Sequence, residues 1–540
     1  MRKRLLTKIL AVAMSAALLT ACGSPDNGGS TGSQGSSQAG SSQAESSAQE
    51  SGDSQEGGQE EGSAEQQPAA SGDAVTVRMT YITGGVEPDG LDRVEAALNE
   101  QTLAKIGCNI ELVPVAHADE AATYNKWFAS GEDVDIICTV FQDYLAMINA
   151  GGFQPLDDLI AEFGKDMLEK DKDKSFLGAG RYKGQLYGIP TIPSAPGNGG
   201  ALYMRKDVFD QLDTTGMDVE GYIGYEELDS LLSQIHEKFP EYTALGVSGK
   251  DRSKSNFFFV RNYDNLGVGE SSGVVVNALE ETTVENLYAT EEYREYLDWM
   301  RKWYQAGYIS KDAATSDEAG DDLFTAAKAA TYIGMSTPGT RENTELEAGT
   351  EVVQIDLCPT WMTTNVYTGV LFFIPTNAAN PEKAMEVLNL LFTDGEFSNV
   401  LANGVEGEDY TVTDAENGVI EFNGSAEKKY SNMYGVWGDG AQWFISPPTT
   451  PDIYQQRKDY LAETVAHTSK VYGYKFDASS VETEQSTVKN VIAKYLTQLE
   501  YGTVDVDTVL PEFLKDLENA GMNKIIEENQ RQLNEWLAGQ

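Results

Sequence analysis

The stretch VDIICTVFQDY, residues 134–144, decides the fold. Its first seven residues are a nearly continuous apolar run, the composition of a strand buried on both faces in a parallel sheet. Working back toward the N-terminus, Glu120 to Ser130 has helical spacing and contains Trp127, and Cys108 to Val115 reads as a strand. Leu91 to Ile106 places Leu91, Val94, Ala97, Leu98 and Leu103 at helical intervals, and Val75 to Ile82 alternates β-branched and aromatic residues with polar ones. Strands alternating with helices predict an α/β sheet with right-handed crossovers. In such sheets ligands lie at the carboxyl ends of strands, which points to the loops 82–90 and 139–144.

Toward the C-terminus, GIPTIPSAPGNGG, residues 188–200, is a Pro/Gly-rich break where the chain is expected to cross into a second domain. Strands follow at Ala201 to Met204, Ala330 to Met335 and Gly369 to Pro375, with helices at Tyr225 to Lys238, Tyr293 to Tyr308 and Pro381 to Phe392. Val488 to Leu499 and Val509 to Leu537 read as helix throughout. With 540 residues, 41% of them hydrophobic, the chain has core material for two or more lobes at about 100–200 residues each.

Charge excludes one class of partner. Asp+Glu 85 against Lys+Arg 39 gives a net charge of -46, and no basic run occurs past the first ten residues, so nucleic acid is not a partner. Arg2, Lys3, Arg4 and Lys8 precede an apolar run from Ile9 to Leu19, the pattern of a secretion signal and too short to span a bilayer. The run ends LTACGS, residues 19–24, which resembles the bacterial lipobox and implies a diacylglycerol-modified Cys22; cleavage near Ala21 without lipid is the alternative. From Gly23 to Asp73 the chain is almost entirely Ser, Gly, Gln, Glu, Ala and Asp, which cannot pack a core. As a flexible tether it would reach about 35–42 Å from a membrane. Cys108, Cys138 and Cys358 allow one disulfide at most, and the first two sit in apolar runs where buried thiols are common.

The order of motifs resembles the extracellular solute-binding lipoproteins of bacterial ABC importers, in the mostly sugar-binding family 1. The resemblance rests on ASGEDVDI (129–136), LYGIP (186–190) followed by LYMRKDVF (202–209), WYQAGYI (303–309), FTAAKAA (324–330), NPEKA (380–384) and GVEGEDY (404–410). Val134, Arg205 and Ala327 depart from the family's proline, asparagine and glycine. The tail from Tyr501 to Gln540 further resembles a LipO-like subgroup. The resemblance implies a two-lobed α/β fold of the type II periplasmic-binding-protein kind, with a ligand cleft between lobes joined by hinge strands. Crossings are implied near 188–192, 356–367 and 401–410. The expected division is a signal peptide at 1–21, the anchored tether at 22–73, a first lobe at 74–190 with about 366–405, and a second at about 191–360 with about 406–540, ending in a helical extension. It further implies an ABC importer receptor for carbohydrate, expected to be an oligosaccharide. Its expected partners are the permease subunits and the outer face of a Gram-positive cell membrane, with no cofactor and no catalysis.

Sugar rings stack their C–H faces on aromatic side chains, and their hydroxyls bond planar polar groups. On that chemistry the first loop offers Tyr81, Thr83 and Glu87, and the third strand's loop offers Phe141, Asp143 and Tyr144. Tyr81 reads equally as core. Thr337 follows a second-lobe strand, Trp361 lies near the expected return crossing, and Trp437 and Trp443 flank a Gly-Asp-Gly loop. Trp127, Trp299, Trp303 and Trp536 read as packing. His117, His236 and His467 are isolated, so no zinc spacing exists, and Asp171 to Ser175 begins like a calcium loop but has Phe176 where glycine is needed. Carboxylate pairs among 85 acidic residues leave a glycosidase or lyase as the alternative, beside a receptor for peptides or other polar solutes.

Overall fold

Thr76–Thr83 is a strand because its inward positions are apolar, and it pairs in parallel with Asn109–Ala116 over eight residues, from Thr76 opposite Asn109 to Thr83 opposite Ala116. Helix Leu91–Lys105 connects the two, burying Leu91, Val94 and Leu98 at the spacing read from the sequence. The computed structural model describes residues 74–172, 176–247, 263–424, 430 and 438–539. Cys22, the signal segment, the tether and Trp437 lie outside the described residues.

The third strand of this first sheet is Ile137–Val140, entirely buried as its composition predicts. It begins three residues later than expected because Asp135 interrupts the ladder: its carboxylate accepts the Arg78 N–H at 3.0 Å. Ile137–Val140 pairs antiparallel with Val370–Phe373, which pairs antiparallel with Gly188–Pro190. A second sheet runs in the order 352–358, 200–205, 329–335, 243–246, with only its last pair parallel. The six residues of Gly200–Arg205 are all buried.

Two large apolar cores accompany the sheets, which makes the molecule a two-lobed α/β protein. The first core draws on residues from Val77 to Ile189, from Met362 to Leu401, and Tyr430. The second draws on residues from Leu202 to Leu357 and from Val471 to Leu533. The chain therefore passes between lobes at 190–201 and 358–361. Its third passage lies between Tyr430 and Val471. Before it, Asp409 is ion-paired to Arg93 of the first lobe's helix, and Tyr430 donates to Leu401 O. Ile192 and Asp439 then pair in the crossing region.

Helices Glu482–Glu500, Val506–Ala520 and Met522–Ala538 close the second core, burying Val488, Leu499, Phe513, Leu517, Ile525 and Leu533 completely. The single helix expected over 509–537 is two, because Gly521 takes φ +100°, a left-handed turn that ends the first. Cys108, Cys138 and Cys358 are buried, with no disulfide among the described residues. Among the described residues no helix is long and apolar enough to cross a membrane.

Glu500 is buried in the second core and accepts a hydrogen bond from Tyr293 OH at 3.2 Å. Burial raises its carboxyl well above the usual range, opposed by Tyr293 and reinforced by Glu270. A raised folded-state pKa favours the protonated fold, so its contribution is complete below the ordinary glutamate range and is lost as pH rises through the elevated value. Glu500→Gln should flatten this decline, leaving a variant at least as stable as the parent at pH 8 in urea unfolding. A parent with an equal midpoint at pH 6 and pH 8 would contradict the assignment.

Candidate ligand-binding site

The strand order 109–116, 76–83, 137–140 reverses the direction of winding between the first and third strands, the topological point where α/β sheets open a crevice. Backbone pairing between these two strands reaches Met79 with Ile136, where Thr80 N–H donates to Ile136 O at 3.0 Å. Beyond it side chains take over the ladder. Cys138 N–H donates to Thr80 Oγ1 at 2.7 Å, Tyr124 OH donates to Cys138 O at 2.6 Å, and Val140 N–H donates to Glu120 Oε2 at 2.9 Å. Buried backbone groups stay satisfied while the strands are no longer stitched together at their carboxyl ends.

At this end stands Phe141. It is 79% exposed and holds φ at +52°, a conformation that bulky side chains rarely adopt. Its N–H donates to Gly369 O at 2.6 Å, and its ring covers Gly369, where an added Cβ would come within 2.8 Å of the ring. An exposed aromatic ring held in an unfavourable backbone conformation is the kind of strain that clusters at ligand-binding sites, which makes Phe141 the candidate at this strand end. Asp143 is exposed beside it and caps helix Tyr144–Asn149, its Oδ1 accepting Ala146 N–H at 3.1 Å. Glu87 is exposed on the loop that follows the adjacent first strand.

The other expected residues sit elsewhere. Tyr81 is 1% exposed, its hydroxyl 3.0 Å from Tyr430 OH, and burial pushes its phenol up to about 12; the core alternative holds for it. Thr83 is buried and shapes the first loop, accepting Gly85 N–H at 3.2 Å. Tyr144 is buried against Phe373, ring centroids 5.6 Å apart, with no hydrogen-bond partner for its hydroxyl among the described residues. Thr337 is half-buried and bonds Thr340 within its own turn, 2.8 Å between hydroxyl oxygens. Trp361 is buried in the second passage, where its carbonyl accepts Asn198 N–H of the first passage at 3.2 Å. Trp443 packs half-buried against the first core, with no partner for its indole N–H among the described residues.

Sequence reading missed Lys475. It is 7% exposed, donates to Ala179 O, and lies 5.0 Å from the centre of the Tyr144 ring. Ala179 and Tyr144 belong to the first core, whereas Lys475 lies between Tyr474 and Phe476 of the second, so this side chain spans the lobes. No local pattern in VYGYKF marks it, since what buries the ammonium comes from more than 290 residues away. Burial alone pulls its pKa down to about 7. A groove of about 710 Å³ also lies in the second lobe, lined by Arg341, Glu345, Gln354, Asp356, Tyr460 and Glu463 among others, but its one ring is engaged through Tyr460 OH with Gly199 N–H.

With the fold and crevice in place, the sequence itself assigns the class. The chain belongs to the bacterial extracellular solute-binding protein family, whose profile matches residues 96–397. A second profile, for a domain of unknown function, matches 470–538, the segment carrying Lys475 and the three closing helices. The chain is 29% identical over 479 residues to a carbohydrate ABC transporter substrate-binding protein of Streptococcus pneumoniae, covering 87% of this chain and 92% of that one. It is 24% identical to lipoprotein LipO of Bacillus subtilis, covering 73% and 80%. Among solved structures it resembles the N-glycan transport solute-binding protein NgtS of S. pneumoniae at 25% identity and a TM-score of 0.73, covering 86% of this chain and 99% of that one.

For a lysine with a depressed folded-state pKa the penalty is full below about pH 7 and is relieved as pH rises toward 10.5. Lys475→Met should therefore stabilise the fold at pH 6, and about 3 kcal/mol of that gain should vanish by pH 9 in denaturant titrations. A gain independent of pH would show that Lys475 is not buried as a charge.

Proposed function

We propose that this protein is the extracellular receptor of a carbohydrate importer, binding an oligosaccharide in the crevice between the first and third strands and closing its second lobe over it. The observation that carries this reading is the exposed, strained Phe141 ring at the crevice mouth. A sugar ring presents its C–H face to Phe141, while Glu87 and Asp143 accept its hydroxyl protons. The relatives support the substrate class: one is named a carbohydrate ABC transporter substrate-binding protein, and NgtS is solved with Man1GlcNAc and with Man5GlcNAc.

This chain superposes better on the NgtS structure described without a glycan, at a TM-score of 0.73, than on the two glycan complexes, at 0.65 and 0.64. The sequence compared is the same NgtS each time, so the difference lies in arrangement, which supports lobes that shift relative to each other on binding. A ligand that favours one arrangement shifts the population, and the closed form is the one a permease distinguishes. The lipobox cysteine Cys22 and the acidic tether would hold the receptor at the outer face of the membrane, and the lipoprotein name of the LipO relative supports this location.

Oligosaccharides of mannose and N-acetylglucosamine are the first ligands to try. In thermal unfolding, a ligand at about 100 times its dissociation constant adds about 2.7 kcal/mol, and mass spectrometry should recover the sugar intact. Cleaved product would replace the receptor with a glycosidase. Phe141→Ala should weaken binding about fivefold to tenfold with little loss of stability, the scale of one aromatic contact. Gly369→Ala, which displaces the ring without removing it, should weaken binding in the same direction; calorimetry showing both variants at parental affinity would remove Phe141 from the site.

A further inference from the structure

A carboxylate buried inside an apolar lobe costs several kcal/mol unless its oxygens are bonded, so a fully buried Glu120 needs a reason. It opens helix Glu120–Ser130, and with Tyr124 one turn on it faces the third strand, where the two side chains supply the ladder partners the first strand no longer gives. Its Oε2 takes the Val140 N–H at 2.9 Å, one residue before Phe141, and Gln142 Nε2 donates back to Val140 O at 3.1 Å. Its other oxygen, Oε1, is 2.6 Å from His117 Nδ1. His117 lies in the turn His117–Asp119 at the carboxyl end of the second strand. The pair therefore ties the end of the second strand to the end of the third across the crevice floor, on the strand end that carries the strained ring.

We propose that Glu120 and His117 are positioning residues for the Phe141 ring: they fix the Val140 backbone so that the ring is presented in its left-handed conformation before ligand arrives. This rests on the reading of Phe141 as the stacking surface for sugar. Neither residue need touch the ligand; Glu120 is fully buried, and His117 keeps 35% of its side chain exposed. Burial pushes the Glu120 carboxyl up, and the bonds from His117 and Val140 pull it back toward the charged form that accepts both. Pre-organisation of this kind lowers the ordering cost of binding without adding a contact.

The test places 4-fluorophenylalanine at position 141 and follows its single fluorine resonance in the ligand-free protein. The parent should give one narrow line, and His117→Ala and Glu120→Gln should broaden or split it while the thermal midpoint of His117→Ala stays near the parent's. If Glu120→Gln fails to fold, His117→Ala at its partly exposed site carries the test. With Man5GlcNAc as the probe, His117→Ala should weaken binding about fivefold in the parent and by less than twofold in the Phe141→Ala background, since coupled residues are not additive. An unchanged fluorine line in folded His117→Ala overturns the positioning role and leaves the stacking role intact. A broadened line beside an unaffected Phe141→Ala affinity sustains the positioning role and sinks the stacking reading instead.

Discussion

The candidate site depends on one substitution of partners: beyond Ile136, the edge of the third strand that faces the first strand bonds side chains instead of that strand's backbone, while its other edge stays paired with Val370–Phe373. Thr80, Tyr124 and Glu120 satisfy Cys138 and Val140, so the sheet parts without leaving the Cys138 N–H and carbonyl or the Val140 N–H unpaired. Were the ladder continuous, the first and third strands would close against each other at their carboxyl ends. The parted ends place Glu87 on one side and Phe141 with Asp143 on the other.

The second constraint is connectivity. Three passages of chain join two cores, and they bond one another: Asn198 to the Trp361 carbonyl, Ile192 to Gly438 and Gly440, and Met362 to His467 and Ser469. Crossings gathered in one region are the kind of element about which lobes close by hinge motion. Lys475 adds a contact of a different kind, a charge from the second lobe's chain lodged against a first-lobe carbonyl and ring. It costs stability below neutral pH, so its presence marks an arrangement of the lobes rather than a contribution to core strength.

Much of the fold was legible in the sequence because it is written in local periodicity: helices 120–130 and 225–238 fall on the expected residues, and strands 76–83 and 109–116 within one. The site was legible only in part. Phe141 and Asp143 follow a buried strand, and that position alone exposes them, whereas Tyr81 alternates like a strand residue and the tertiary fold turns it toward Tyr430. The link from the Glu120–His117 pair to the third strand was not legible, because Val140 meets Glu120 only through the tertiary fold. Lys475 was invisible for the same reason at longer range. Periodicity specifies which face of an element is buried; it does not specify which elements meet.

The most direct test of the account is a crystal structure of the protein with a bound mannose–N-acetylglucosamine oligosaccharide. The account predicts a pyranose ring lying about 4 Å above the Phe141 ring, within reach of Asp143 or Glu87, with the lobes closer together than they are here. Sugar bound only in the second-lobe groove beside Tyr460 and Glu463, with Phe141 bare, would contradict it.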